Sequence, residues 1–154
     1  MTRRLIIALT LLTVSAAATA YGTVTLIPAG AFPPGCRPNG KALRGGAEPN
    51  TIWGTRHSDL LVGGGGHDVL YGKGNGKRRD CLFGQRGPDS LYGGPGTDLL
   101  MGGPWRDRLR GGKAGDFIRD TDGRNRISCG KGIDRVVTNA KSEVAANCEH
   151  VRRG

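Results

Sequence analysis

A period of nine residues governs most of this chain. Rows beginning at Gly45, Gly54, Gly63, Gly72, Gly84, Gly93, Gly102, Gly111, Asp120 and Cys129 align with one another, each nine residues long except the twelve-residue row 72–83. The sixth place reads Asn50, Asp59, Asp68, Asp80, Asp89, Asp98, Asp107, Asp116, Asn125 and Asp134. The eighth reads Ile52, Leu61, Leu70, Leu82, Leu91, Leu100, Leu109, Ile118, Ile127 and Val136. Counted back from its end, the long row keeps both registers and carries three extra residues in its turn. Eight of the 13 acidic residues share the sixth place, and all ten eighth places are aliphatic. Glycine-rich disorder does not phase two features together, so the phasing argues for a folded repeat. The 28 glycines among 154 residues argue against a helical bundle, and the lack of a three-residue glycine period excludes collagen.

The row can be read chemically. Its first five places are rich in glycine, which suits a tight turn and close backbone approach. Places seven to nine form a short strand, with the eighth side chain inward and its neighbours outward. Two rows make one coil, and coils stack through parallel ladders into an all-β solenoid. Rows 45, 63, 84, 102 and 120 then share one face, and rows 54, 72, 93, 111 and 129 the other. Asp59, Asp80, Asp98, Asp116 and Asp134 line one edge. Asp68, Asp89 and Asp107, with Asn50 and Asn125 at the ends, line the other. Neighbours in a file sit about 4.8 Å apart, the spacing of strands. Carboxylates that close repel unless cations lie between them. Carboxylates and turn carbonyls are hard oxygen donors that suit Ca²⁺ and not Zn²⁺. The competing reading has each Asp capping its own turn by local hydrogen bonds. Eight in one register favour the metal.

Two rows, Gly63-Gly64-Gly65-Gly66-His67-Asp68-Val69-Leu70-Tyr71 and Gly93-Gly94-Pro95-Gly96-Thr97-Asp98-Leu99-Leu100-Met101, match G-G-x-G-x-D-x-U-x throughout. The stretch from Asp89 through Leu91, Gly96, Asp98, Leu100, Gly102 and Gly103 to Asp107 follows the longer pattern. The chain thus resembles the hemolysin-type, or RTX, calcium-binding repeat over about 45–137. The resemblance implies a parallel β-roll (a right-handed β-solenoid) of about ten nine-residue rows. It also implies calcium held between successive turns by Asp side chains and backbone carbonyls. The metal candidates are Asp59, Asp68, Asp80, Asp89, Asp98, Asp107, Asp116 and Asp134. Departures fall at place two (Thr55, Lys73, Gln85, Thr121), at place four (Glu48, His57, Trp105, Ala114), and at Asn50 and Asn125. The chain is also basic, at +10, where the family is usually acidic. Occupancy is therefore expected to be partial and best in the middle rows, with the end rows structural.

Outward strand places differ along the roll. One face presents Trp53, Tyr71, Tyr92 and then Arg110; the other presents Leu60, Val62, Phe83, Leu99, Met101 and Phe117, then Arg119 and Arg135. Cross-strand packing is the expected role of the apolar places, with an association surface as the alternative. Arg106, Arg108, Arg110, Arg119, Arg124 and Arg126 read as a solvated face, with contact to an extracellular polyanion or cell-surface component as the alternative. No nucleic-acid-binding module is visible.

The first residues read as an export signal, 1–20: Arg3 and Arg4, an apolar run from Leu5, and Ala18-Thr19-Ala20 before Tyr21. The run is shorter than the ~20 residues needed to span a bilayer, so no transmembrane segment is expected in the mature chain. Residues 21–44 form a Pro/Gly-rich lead. The tail, 138–154, spaces Val144, Cys148 and Val151 for one helical face and is expected to cap the open end. Four cysteines allow three pairings. Cys129–Cys148 and Cys36–Cys81 are expected, the first because the tail should fold over the last row, the second mainly by elimination. The histidines fall at unrelated spacings, and neither G-x-S-x-G, H-E-x-x-H nor a P-loop occurs, so no enzymatic activity is expected. The sequence thus reads as a secreted calcium-binding β-roll whose folding is coupled to calcium. The alternative is a calcium-independent extracellular adhesin or polyanion-binding surface protein that keeps the repeat as scaffold.

Overall fold

A computed structural model describes residues 23–28 and 32–154, so the expected export signal lies outside the described residues. In chain order the strands are β1 (Thr25–Leu26), β2 (Ala42–Arg44), β3 (Thr51–Trp53), β4 (Leu60–Gly64), β5 (Val69–Tyr71), β6 (Cys81–Gln85) and β7 (Ser90–Pro95). They continue as β8 (Leu99–Met101), β9 (Arg108–Lys113), β10 (Phe117–Asp120), β11 (Arg126–Lys131), β12 (Arg135–Thr138), β13 (Glu143–Val144) and β14 (His150–Arg153). Among the described residues there is no helix, and none therefore long and apolar enough to cross a membrane.

The strands alternate between two sheets, one ordered β1-β2-β4-β6-β8-β10-β12-β14 and the other β3-β5-β7-β9-β11-β13. Every pairing is parallel except that of β1 with β2. The result is a parallel β-solenoid of about six turns. Register follows the eighth place. Leu61, Leu82, Leu100, Ile118 and Val136 stand side by side in the first sheet, and Ile52, Leu70, Leu91, Leu109 and Ile127 in the second. All ten are at most 2% exposed and form one core. Each buried aliphatic contributes about 1.5–3 kcal/mol, and stacking identical places lets short strands share that core.

The outer faces carry cross-strand packing. On the second sheet the rings of Trp53 and Tyr71 stack at 4.0 Å and those of Tyr71 and Tyr92 at 4.9 Å, with Lys73 Nζ 4.1 Å over Trp53. On the first sheet Leu60, Val62 and Cys81 are buried under the lead, where Ile27, Phe32 and Cys36 pack against them with Phe83 and Leu99. A disulfide joins Cys36 to Cys81 across this contact, with Cα atoms 6.0 Å apart. Further along, Phe117 stays 38% exposed.

The tail corrects one expectation. Val144, Cys148 and Val151 do not mark a helical face. Val144 pairs with Ile127, Val151 pairs with Val136, and Cys148 is bonded to Cys129, with Cα atoms 5.1 Å apart. The physical reason is the ladder edge. β11 and β12 offer unpaired amides and carbonyls, and a strand–turn–strand spacing of seven residues mimics a helical period.

Candidate calcium-binding turns

Each sixth-place side chain performs one job visibly. Except at Asn50, its Oδ1 accepts a backbone amide one coil earlier. Asn50 N donates to Asp68 at 2.8 Å, Asp68 N to Asp89 at 2.8 Å, Asp89 N to Asp107 at 2.7 Å and Asp107 N to Asn125 at 2.9 Å. In the other file Asp59 N donates to Asp80 and Asp80 N to Asp98, both at 2.8 Å, Asp98 N to Asp116 at 2.8 Å and Asp116 N to Asp134 at 2.7 Å. The expected two files are therefore present, tied along the roll by amide–carboxylate bonds between coils. Capping of the residue's own turn accounts for few of the contacts. It occurs at Asn50, whose Oδ1 accepts the Gly46 amide at 3.3 Å, at Asp59, whose Oδ2 accepts the Thr55 amide at 2.6 Å, and at Asp80, whose Oδ2 accepts the Gly74 amide at 3.2 Å.

The second oxygen of the others has no such partner. Oδ2 of Asp68, Asp89, Asp98, Asp107, Asp116 and Asp134 is buried without a hydrogen bond. Glycine at the first place lets oxygens of adjacent coils close in where a side chain would clash. A Cβ on Gly93 would stand 2.6 Å from Asp98 Oδ2 and 2.7 Å from the Gly111 carbonyl of the next coil. Gly63, Gly84 and Gly111 bring together Oδ2 of Asp68, Asp89 and Asp116 with the carbonyls of Gly84, Gly102 and Cys129 in the same way. A carboxylate oxygen and a carbonyl oxygen from adjacent coils thus approach one another at each of these glycines. Among the described residues no three His, Cys, Asp or Glu side chains converge, so any cation held here takes the rest of its shell from carbonyls and water.

Burial makes Asp68, Asp80, Asp89, Asp98, Asp107 and Asp116 poor anions by themselves. It raises Asp89 to about 7, an effect opposed by the Asp68 amide and reinforced by the charges of Asp107 and Asp68. Burial also raises Asp80 to about 7, Asp98 and Asp107 to about 6, and Asp116 to about 8. Asp68 is raised by the same cause.

Departures from the repeat sort into two groups. Lys73, Gln85, Trp105 and Ala114 keep positive φ, at 69°, 79°, 144° and 74°, so they hold the turn at the strain a side chain pays there. Thr55, Thr121, Glu48 and His57 are not among the residues with positive φ, so their turns differ. The sequence reading missed three residues that end the files: Lys41, whose amide donates to Asp59 Oδ1; Ser142, whose Oγ accepts the Asn125 amide at 3.2 Å; and Glu149, whose Oε2 accepts the Asp134 amide at 3.0 Å. It also missed Asp120, whose Oδ2 is buried and unpartnered like the others. The opening of row 120 on Asp in place of Gly was the available signal. Of the arginines, Arg108 and Arg126 stand side by side on β9 and β11, and Arg126 pairs with Glu143 at 2.8 Å on the exposed face.

No curated protein and no solved structure gives a match to this chain. The family model of the RTX calcium-binding nonapeptide repeat (four copies) matches residues 43–75, 76–104 and 106–136, most of the described solenoid. With its Gly-rich turns, files of Asp and stacked parallel strands, the chain belongs to the RTX calcium-binding nonapeptide repeat family.

Proposed function

We propose that this chain is a secreted calcium-binding β-roll in which Ca²⁺ sits between stacked turns and folding is coupled to the ion. One observation carries the reading: two files of buried carboxylates in which Oδ2 of Asp68, Asp89, Asp98, Asp107, Asp116 and Asp134 lacks any hydrogen bond. A buried anion without a partner is costly, and a hard divalent cation between coils removes that cost. Asp68, Asp89 and Asp107 on one edge, and Asp98, Asp116 and Asp134 on the other, are the principal side-chain ligands. Asp59 and Asp80, whose Oδ2 atoms are already bonded, are weaker ones. First-place carbonyls complete the shell. The folded roll alone assembles these groups, so binding energy becomes folding energy.

In this reading residues 1–20 are an export signal and 21–44 a lead fastened by Cys36–Cys81. Residues 45–137 form the ten-row roll, and 138–154 a C-terminal cap fastened by Cys129–Cys148. Both disulfides suit an oxidising compartment. The chain binds and does not catalyse.

Calorimetric titration with Ca²⁺, paired with far-UV circular dichroism in chelator, tests this. Binding is expected in the range of extracellular modules, roughly 10⁻⁴–10⁻³ M, with strand signal and melting temperature rising as calcium is added. A strand spectrum and melting temperature indifferent to excess chelator would sink the coupling, and a flat titration would sink the function.

A further inference from the structure

Row 120 departs from the repeat twice. It opens on Asp120, where rows 45 to 111 open on glycine, and its sixth place holds Asn125, where most rows hold Asp. In space these two departures amount to one exchange. The cradles beside Gly63, Gly84, Gly93 and Gly111 are each closed by one Asp Oδ2 and one backbone carbonyl from the next coil. Beside Gly102 the second oxygen is different. Oδ2 of Asp107 and Oδ2 of Asp120 converge on the point that a Cβ of Gly102 would occupy. Asp107 is 0% and Asp120 3% exposed, and neither Oδ2 has a hydrogen-bond partner.

The rest of Asp120 is held in place. Its carbonyl accepts the Thr138 hydroxyl at 2.7 Å, and its Oδ1 accepts the Gly103 amide at 3.4 Å. Asn125 supplies no charge: its Oδ1 accepts the Asp107 amide at 2.9 Å and its Nδ2 donates to the Asp122 carbonyl at 2.6 Å. The carboxylate missing from the sixth place of row 120 has thus reappeared at its first place, aimed into the coil before. Two bare carboxylate oxygens at one buried point repel unless something positive lies between them. A shared proton removes one charge of the two; a divalent cation removes both.

We infer that Asp120 is a calcium ligand supplied from outside the nonapeptide motif, and that with Asp107 it forms the tightest calcium site of the roll. The inference rests on the calcium reading above and narrows it to one place. Two carboxylates against one in the other cradles is the reason for the rank, because ligand charge sets calcium affinity.

Trp105 lies in the same turn, between Gly102 and Asp107, with its carbonyl against Gly123 of the next coil. In a Trp53→Phe background it is the sole tryptophan of the chain, so terbium emission excited through tryptophan reports on this turn. A tight first phase of emission, displaced by calcium, is expected. Asp120→Asn and Asp120→Gly should each weaken that phase on the order of tenfold or more. Asp120→Gly restores the residue that other rows use, and circular dichroism at saturating calcium checks that both variants keep the strand spectrum. Asp107→Asn should lose the same phase, with the double variant losing no more. If the Asp120 variants bind terbium and calcium as the unaltered chain does, Asp120 is not a ligand, while the calcium reading stands. Additive losses in the double variant would place the two residues at separate ions and overturn the shared site. If the unaltered chain binds no calcium by calorimetry, the broader reading itself has failed.

Discussion

Replacing Asp89 by Asn separates the two jobs of a sixth-place side chain. Its Oδ1 would still accept the Asp68 amide, as Asn125 Oδ1 accepts that of Asp107. Its new Nδ2 would find a carbonyl within its own turn, as Asn50 finds Glu48 and Asn125 finds Asp122. The ladder therefore survives. What disappears is a buried charge. Burial, with help from the charges of Asp107 and Asp68 and against the Asp68 amide, lifts Asp89 from 3.8 to about 7. At about 1.4 kcal/mol per pKa unit, holding it ionised costs the metal-free roll about 4 kcal/mol above pH 7. Relaxation of the file takes part of that, so Asp89→Asn should stabilise the metal-free roll by about 2–4 kcal/mol.

The same change should weaken calcium binding in that file, so the two effects have opposite signs. Urea unfolding followed by circular dichroism, in chelator and in saturating calcium, reads both. The gain in chelator has a defined pH dependence. Between 3.8 and about 7 the folded state binds a proton that the unfolded state has released, so stability falls as pH rises through that window. The advantage of Asn is therefore full above pH 7 and vanishes towards pH 4. A variant less stable than the parent in chelator at pH 7.5, or one whose stabilisation by calcium is unchanged, would refute the division of labour.

The other predictions follow from the same geometry. In chelator the whole roll should lose stability from about pH 4 to about pH 8, because burial raises Asp80, Asp98, Asp107, Asp116 and Asp120 to between about 6 and about 8; urea midpoints across that range that rise would contradict it. Calcium affinity should move the other way, falling as acid fills the carboxylates, which a calorimetric pH series reads. Gly93→Ala should abolish binding in its cradle, since the new Cβ stands 2.6 Å from Asp98 Oδ2, whereas Gly65→Ala, with Ala47 Cα at 3.4 Å and no positive φ, should leave calcium stoichiometry unchanged. Removing residues 139–154 together with Cys129→Ser should uncover the edges of β11 and β12 and cause concentration-dependent association, visible by light scattering.

The strands were legible because each row repeats the same two demands. An aliphatic eighth place fixed which side faces inward, and ten copies fixed which rows stack. Cys129 at the head of the last row pointed to Cys148 for the same reason, and Cys36–Cys81 followed mainly by elimination. The tail was misread because one short coil offers no repeats to phase, and seven residues between Val144 and Val151 fit a helix as well as a strand–turn–strand. The amide–carboxylate ladder was not legible at all. Sequence spacing says that carboxylates approach one another; it does not say that one oxygen of each is already committed to an amide in the coil before. Asp120 was hidden by its place: at the head of a row it looks like a lost glycine, and its Oδ2 meets that of Asp107 only after the coils stack.

That ladder has a direction, and the direction explains the chemistry of the two ends. From Asp59 and Asp68 onward each sixth-place Oδ1 accepts from the coil before it, so a file needs only a backbone amide at its start and a side-chain acceptor at its finish. The start can therefore carry any residue, and Lys41 stands there, a cation in an acidic register, donating its amide to Asp59. The finish cannot. The last amides, of Asn125 and Asp134, are met by Ser142 Oγ and Glu149 Oε2, two acceptors that share no motif with the repeat and that the shortened last coil brings into reach. An amide buried at the end of a stack without an acceptor costs about 1–3 kcal/mol, so these two places call for an acceptor and not for aspartate in particular. Aspartate gives way to Ser142 and Glu149 in the last coil, and hydrogen-bond acceptors continue for as long as there is an amide to satisfy.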